Sequence, residues 1–145
     1  MNTLRQFLLH KEYHRIKLTY TKTNHFEVQA TLNGVEGNFI LDTGASSSCV
    51  GFNAINKFHL FAQDSDVKAA GAGATDMLTQ LSKGNTLQIG TWSKQRISLI
   101  LFDLTHVNTA LTAHEAAPVD GIIGADVLKK SKAIIDYEKK CLYLK

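Results

Sequence analysis

A chain of 145 residues with 44 % apolar and 20 % charged side chains is large enough to bury its own core without disulfide or metal staples, which excludes a disordered chain and leaves one globular domain. The formal charge of +3 is mild and its lysines and arginines are spread along the chain, so no patch points to nucleic acid. The densest basic group, Lys129, Lys130, Lys132, Lys139 and Lys140, reads as a solvated helix end and hairpin turn rather than a polyanion site.

Near the start, Leu4 to Tyr13 has helix-compatible apolar spacing, but the apolar stretch Phe7-Leu8-Leu9 falls short of the roughly 7–15 residues of a secretory signal. No segment reads as a transmembrane span, so no membrane partner is expected. Ile16 to Tyr20 and Phe26 to Leu32 alternate apolar and polar with period two, as half-buried strands do, and Asn33-Gly34 marks a tight hairpin turn into Asn38-Phe39-Ile40-Leu41. Phe52 to Phe61 is expected as a short helix, and Val67 to Leu78 as two apolar-alternating arms around a glycine-rich tip. No Gly-Lys-Ser/Thr follows that tip, which argues against a phosphate-cradling loop. Thr86 to Gly90 and Arg96 to Phe102 read as strands about the turn Gly90-Thr91-Trp92-Ser93-Lys94, and Pro118 falls in a loop. Val127 to Lys130 suggests a short helix, and Ala133 to Tyr137 and Cys141 to Leu144 two strands about the turn Glu138-Lys139-Lys140. Cys49 and Cys141 lack Cys-x-x-Cys spacing and read as reduced, half-buried core thiols of a cytoplasmic protein; a disulfide between them is the alternative for an exported chain.

Two segments carry the chemistry. Phe39, Ile40 and Leu41 lead as a buried strand into Asp42-Thr43-Gly44-Ala45, which presents a carboxylate on a sharp turn. Val119-Asp120-Gly121-Ile122-Ile123-Gly124-Ala125-Asp126 follows, its Asp120 lying 78 residues after Asp42. In this order and separation the pair resembles the active-site turn and the paired-hydrophobic-plus-glycine segment of retropepsin-like aspartic proteases. The resemblance covers roughly Phe26 to Leu144. It implies a mainly β, retropepsin-like acid-protease fold: a closed, barrel-like domain over residues 25–145 with a flap hairpin and one or two short helices, preceded by an N-terminal extension, residues 1–24.

By the same resemblance Asp42 is the catalytic carboxylate, Thr43 braces the active-site loop against a partner subunit, and Gly44 offers its carbonyl to substrate. Gly71, Ala72 and Gly73 correspond to the flap that closes over the peptide, and Ile122, Ile123 and Gly124 pack behind the site. Peptide hydrolysis of this kind needs two carboxyl groups sharing one proton. The chain has one Asp-Thr-Gly only, and Asp103, Asp120, Asp126 and Asp136 lack the following Thr-Gly or Ser-Gly. The second Asp42 is therefore expected from another copy across a two-fold axis. The expectation is a homodimeric aspartic endopeptidase acting on peptide or protein substrates, with no cofactor and no metal.

The chain departs from the retroviral pattern. Retroviral proteases have arginine where Ala125 stands, paired with an acid just after the catalytic motif, where this chain has Ser46 and Ser47. Its C-terminal hairpin looks more like that of cellular and bacterial single-domain relatives. Two rival functions compete. One is a catalytically inactive peptide-binding or oligomerisation module of the same fold. The other is a metal-dependent hydrolase using His10 and His14, disfavoured because Glu12 is not in the His-Glu-x-x-His position and no third ligand is evident. Ser46 to Ser48 lack the Gly-x-Ser-x-Gly context of a serine hydrolase.

Ala45 stands where pepsin-like enzymes usually have serine, and its methyl cannot hydrogen-bond the carboxylate. Cleavage is thus expected to work at less acidic pH than in a pepsin-like site; a pH profile peaking below about 3 refutes the assignment.

Overall fold

The structure is a computed structural model that describes residues 3–64, 69–71 and 74–145. In chain order its elements are α1 (Leu4–His10), β1 (His14–Lys17), β2 (Thr19–Tyr20), β3 (Phe26–Leu32), β4 (Val35–Leu41), β5 (Cys49–Gly51), β6 (Gln63–Asp64), β7 (Ala69–Gly71) and β8 (Ala74–Met77). They continue with β9 (Gln80–Ile89), β10 (Trp92–Phe102), α2 (Thr105–Ala113), β11 (Gly121–Ile123), α3 (Ala125–Lys130), β12 (Ile134–Asp136) and β13 (Cys141–Leu144).

Six strands close on themselves in the order β3-β4-β11-β5-β10-β9, because β9 pairs back onto β3 through Thr31↔Gln88 and Leu32↔Leu87. The period-two pattern of β3 fits this closure: Phe26, Val28, Ala30 and Leu32 point into the barrel core with Leu87, Ile89, Leu99 and Leu101. Asn33 (φ 51°) and Gly34 (φ 84°) both take the left-handed backbone of a two-residue hairpin, so β3 and β4 pair over their full length from Phe26↔Leu41 to Leu32↔Val35. Glu27 breaks the alternation as a buried acid, accepting a hydrogen bond from Asn38 Nδ2 on the facing strand.

A smaller sheet, β1-β13-β12, seals one side. All four residues of β13 are buried: Leu142 and Leu144 face the barrel core, while Cys141 and Tyr143 cluster with Leu8 of α1, Tyr13 and Ile134. The helix starts on a reciprocal cap, with Thr3 Oγ1 accepting from Gln6 N at 3.1 Å and Gln6 Oε1 accepting from Thr3 N at 3.0 Å. Cys49 and Cys141 are both free and lie in different core clusters. No helix among the described residues is long and apolar enough to cross a membrane.

The segment expected as one strand over Ile16 to Tyr20 is instead divided between two sheets, with Leu18 buried at the break between β1 and β2. Phe52 to Phe61 forms only a 3-10 turn at Phe52–Ala54 followed by irregular turns, with His59 left-handed at φ 56°. Asn53 and Asn56 are weak helix formers, and the bends deliver Phe58 into the barrel end against Phe39, where its carbonyl accepts from Asn33 Nδ2 at 2.9 Å. α2 has no counterpart among the expected helices. Its run of Thr, Val and Asn carries low helix propensity, and packing of Val107 and Leu111 against Ile40, Val119 and Ile122 holds it in place.

Phe58 is fully buried. Phe58→Ala is expected to lower the unfolding free energy by about 3–5 kcal/mol in urea titration, and a loss below about 1 kcal/mol contradicts its place in the core.

Candidate active site

β4 delivers Asp42. Its last three residues pair in parallel with β11 (Phe39↔Gly121, Ile40↔Ile122, Leu41↔Ile123), and Asp42 N extends that ladder by donating to Ile123 O at 3.0 Å. The backbone of Asp42 is thereby fixed while its half-buried side chain stands beyond the sheet end. The chain then turns: Gly44 N donates to Asp42 Oδ1 at 2.8 Å and Ala45 N donates to Asp42 O at 3.2 Å. Thr43, Gly44 and Ser46 are exposed on this turn, and Ala45 is half-buried.

The turn is anchored from behind by the second motif. Ala125 N donates to Ala45 O at 2.7 Å. Asp126 Oδ1 accepts from Ser48 N at 2.9 Å, from Ser48 Oγ at 2.7 Å and from Val127 N at 2.8 Å, while Ser48 Oγ itself accepts from Gly124 N at 2.9 Å. Ser48 is 1 % exposed, so its hydroxyl works fully desolvated. Gly124 is required by proximity, since a Cβ there would lie 2.6 Å from Ala45 O and 3.1 Å from the Ser47 carbonyl. Ile123 points into the barrel core, whereas Ile122 is half-buried and faces the cleft. Asp120 lies at the other end of β11, where Oδ2 accepts from Asn38 N at 3.0 Å and pairs with Lys57 Nζ at 3.0 Å.

A cleft of about 970 Å³ opens beside Asp42. Its floor is apolar, built from Ile40, Cys49, Ile100, Phe102, Leu111 and Ile122. α2 forms one wall and the turn between β2 and β3, from Lys22 to His25, another. A carboxylate at the edge of an apolar groove is an arrangement suited to binding a ligand. Cys49 is no rival nucleophile. Burial, aided by the negative charges of Asp126 and Asp42, pushes its thiol up to about 12, so it stays protonated at neutral pH.

Of the residues anticipated from sequence, Asp42, Thr43, Gly44 and Ala45 form this turn, and Ile122, Ile123 and Gly124 lie against it. Gly71 ends β7 and pairs with Ala74 of β8 in a separate two-stranded hairpin, while Ala72 and Gly73 lie outside the described residues. His10 ends α1 and His14 begins β1, its Nδ1 hydrogen-bonded to Thr91 Oγ1 at 2.8 Å. Sequence reasoning missed Ser48 and the two walls of the cleft. A positional signal existed for Ser48, which lies six residues past Asp42 as Asp126 lies six past Asp120.

A family model described as aspartyl protease matches residues 28–127. Among solved structures, a retropepsin-like aspartic protease from Rickettsia conorii superposes with a TM-score of 0.58 at 20 % identity, over 91 % of this chain and 90 % of that one. EIAV protease complexed with the inhibitor HBY-793 gives 0.56 at 19 % identity, over 81 % of this chain and 98 % of that one. The retroviral protease-like domain of Ddi1 from Leishmania major gives 0.56 at 18 %, over 81 % and 86 %. At such identities the likeness is one of fold. No curated protein matches in sequence.

Ser48→Ala removes one of the three donors to Asp126 Oδ1 and leaves Gly124 N without its buried acceptor. Equilibrium unfolding is expected to show a loss of about 1–3 kcal/mol, and an unchanged stability contradicts the anchoring role.

Proposed function

The chain belongs to the aspartyl protease family, and from that premise we propose that it is a homodimeric aspartic endopeptidase in which Asp42 of each protomer supplies one of two catalytic carboxylates. Family and barrel fold support a peptidase. The observation that carries the finer reading is the presentation of Asp42, fixed by its backbone at the end of β4 with its side chain at the edge of an apolar cleft.

In the proposed reaction the two Asp42 carboxyls share one proton. The ionised group takes a proton from a water molecule while the water oxygen attacks the scissile carbonyl carbon, and the protonated group gives its proton to the carbonyl oxygen. Collapse of the tetrahedral intermediate breaks the C–N bond, with a proton passing to the departing nitrogen. No metal or cofactor is needed. Thr43 is exposed in the single chain and is proposed to brace the dyad against the partner's loop, with the Gly44 carbonyl and the hairpin carrying Gly71, Ala72 and Gly73 gripping the peptide by β-type pairing. β13 is paired on both sides within its own chain, by β1 and β12, so the second protomer is proposed to meet this one at the active-site loop.

Asp42→Asn is expected to reduce peptide cleavage by at least about 10²–10⁴-fold while sedimentation still reports a dimer. Cleavage retained by that variant, or a monomeric parent protein that cleaves, overturns the mechanism.

A further inference from the structure

We propose that the cleft selects substrates carrying an acidic side chain, received by a basic rim of Lys22, His25, His106 and His114. The inference rests on the peptidase reading and names the substrate class for the same site. Four of the side chains lining the cleft are basic and only Asp42 is acidic, among the described residues. The rim is built from two separate elements, Lys22 and His25 on the turn before β3 and His106 and His114 near the two ends of α2, all four exposed while the apolar floor residues are buried or half-buried. An imidazole can donate an N–H to a carboxylate whether or not the ring is charged, so the rim suits an acidic group in either state. His25 Nδ1 is engaged with Thr23 Oγ1 at 2.9 Å, which leaves Nε2 for a ligand.

Two further carboxylates approach this rim, and their geometry supports the assignment. Glu115 lies 3.6 Å from Lys22 Nζ with both side chains well exposed, 84 % and 77 %. Such an exposed pair is weak, so a substrate carboxylate displaces Glu115 from Lys22 at little cost. Asp103, beside His106, is occupied in starting α2, where Oδ1 accepts from Thr105 N at 2.8 Å and from the Thr105 hydroxyl. In an extended peptide, side chains two residues apart share a face at a spacing of about 6.8 Å. An apolar residue next to the scissile bond therefore occupies the floor while an acidic residue two places along reaches the rim.

Three fluorogenic peptides test this, identical except for Glu, Gln or Lys placed two residues from a central Leu-Phe pair on both sides. In the wild-type protein kcat/KM is expected to favour Glu over Gln by about 3–10-fold and to disfavour Lys. Fluorescence anisotropy on Asp42→Asn protein should give the same order of Kd. The double variant His106→Ala/His114→Ala should bring the Glu-to-Gln ratio toward one, and Glu115→Gln should raise it. A wild-type ratio at or below one, or a ratio indifferent to loss of the histidines, overturns the inference. Cleavage without a Glu preference removes the inference alone, tighter binding of the Glu peptide without any cleavage removes the peptidase reading alone, and failure to bind or cleave any of the three removes both.

Discussion

The active-site turn rests on a buried hydrogen-bond junction in which the Ser48 hydroxyl donates a hydrogen bond to Asp126 and accepts one from Gly124 N. From Asp42 to Ser48 the chain has no regular secondary structure, and such a stretch holds a shape only where other groups fix it. Three ties to the second motif do much of this: Asp42 N to Ile123 O, Ala45 O to Ala125 N, and the Ser48–Asp126 pair. All of them reach into the Ile123–Asp126 segment. Because the hydroxyl is desolvated, losing either partner would expose the cost of an unpaired buried polar group rather than returning it to water.

Topology explains why two motifs so distant in sequence meet here. β4 and β11 are parallel neighbours, and parallel neighbours require a crossover. Here the crossover carries half of the barrel's strands, β5, β9 and β10, and returns through α2. β11 is only three residues long and is clasped between β4 on one side and β5 on the other. The connection that brings the chain back to β11 thus becomes a wall of the cleft, so one excursion both closes the barrel and shapes the groove. Formation of β11 depends on contacts of long sequence separation, which places completion of the site late in any folding order that begins with the local β3–β4 hairpin.

How much of this could be read in the sequence follows from how local each cause is. The β3–β4 hairpin was legible because alternation and Asn33-Gly34 specify it within a few residues, and the terminal β12–β13 hairpin for the same reason. The two motifs were legible as a pair, since each supplies residue types that make sense only against the other. α2 was not. Its helix exists because Val107 and Leu111 find apolar partners from β4 and β11, information absent from Thr105–Ala113 itself. β5 escaped notice because three residues, Cys49-Val50-Gly51, are too few to show a period, and their pairing with β10 and β11 is entirely tertiary. Ser48 stands in a run of three serines, and apart from its spacing from Asp42 it is burial and the bonds to Asp126 and Gly124 that distinguish it from the exposed Ser46 and half-buried Ser47. The break at Leu18 is likewise invisible to periodicity, because both halves keep their alternation while joining different sheets.

The proposed assembly adds a constraint that neither protomer expresses alone. Thr43 and Gly44 are small and exposed, and β13 has no free edge, so little in the active-site loop itself could hold two chains together by apolar burial. A peptide lying across both copies of the cleft would touch both protomers and so bind the dimer more tightly than a separated chain. Linkage then requires it to stabilise the dimer by at most RT ln(1 + [L]/Kd), about 2.7 kcal/mol at a hundredfold excess over Kd. In the proposed arrangement substrate would also be a structural component: an acidic side chain on each rim and an apolar one on each floor would tie the two halves together around the bond that the paired Asp42 carboxyls are proposed to cleave.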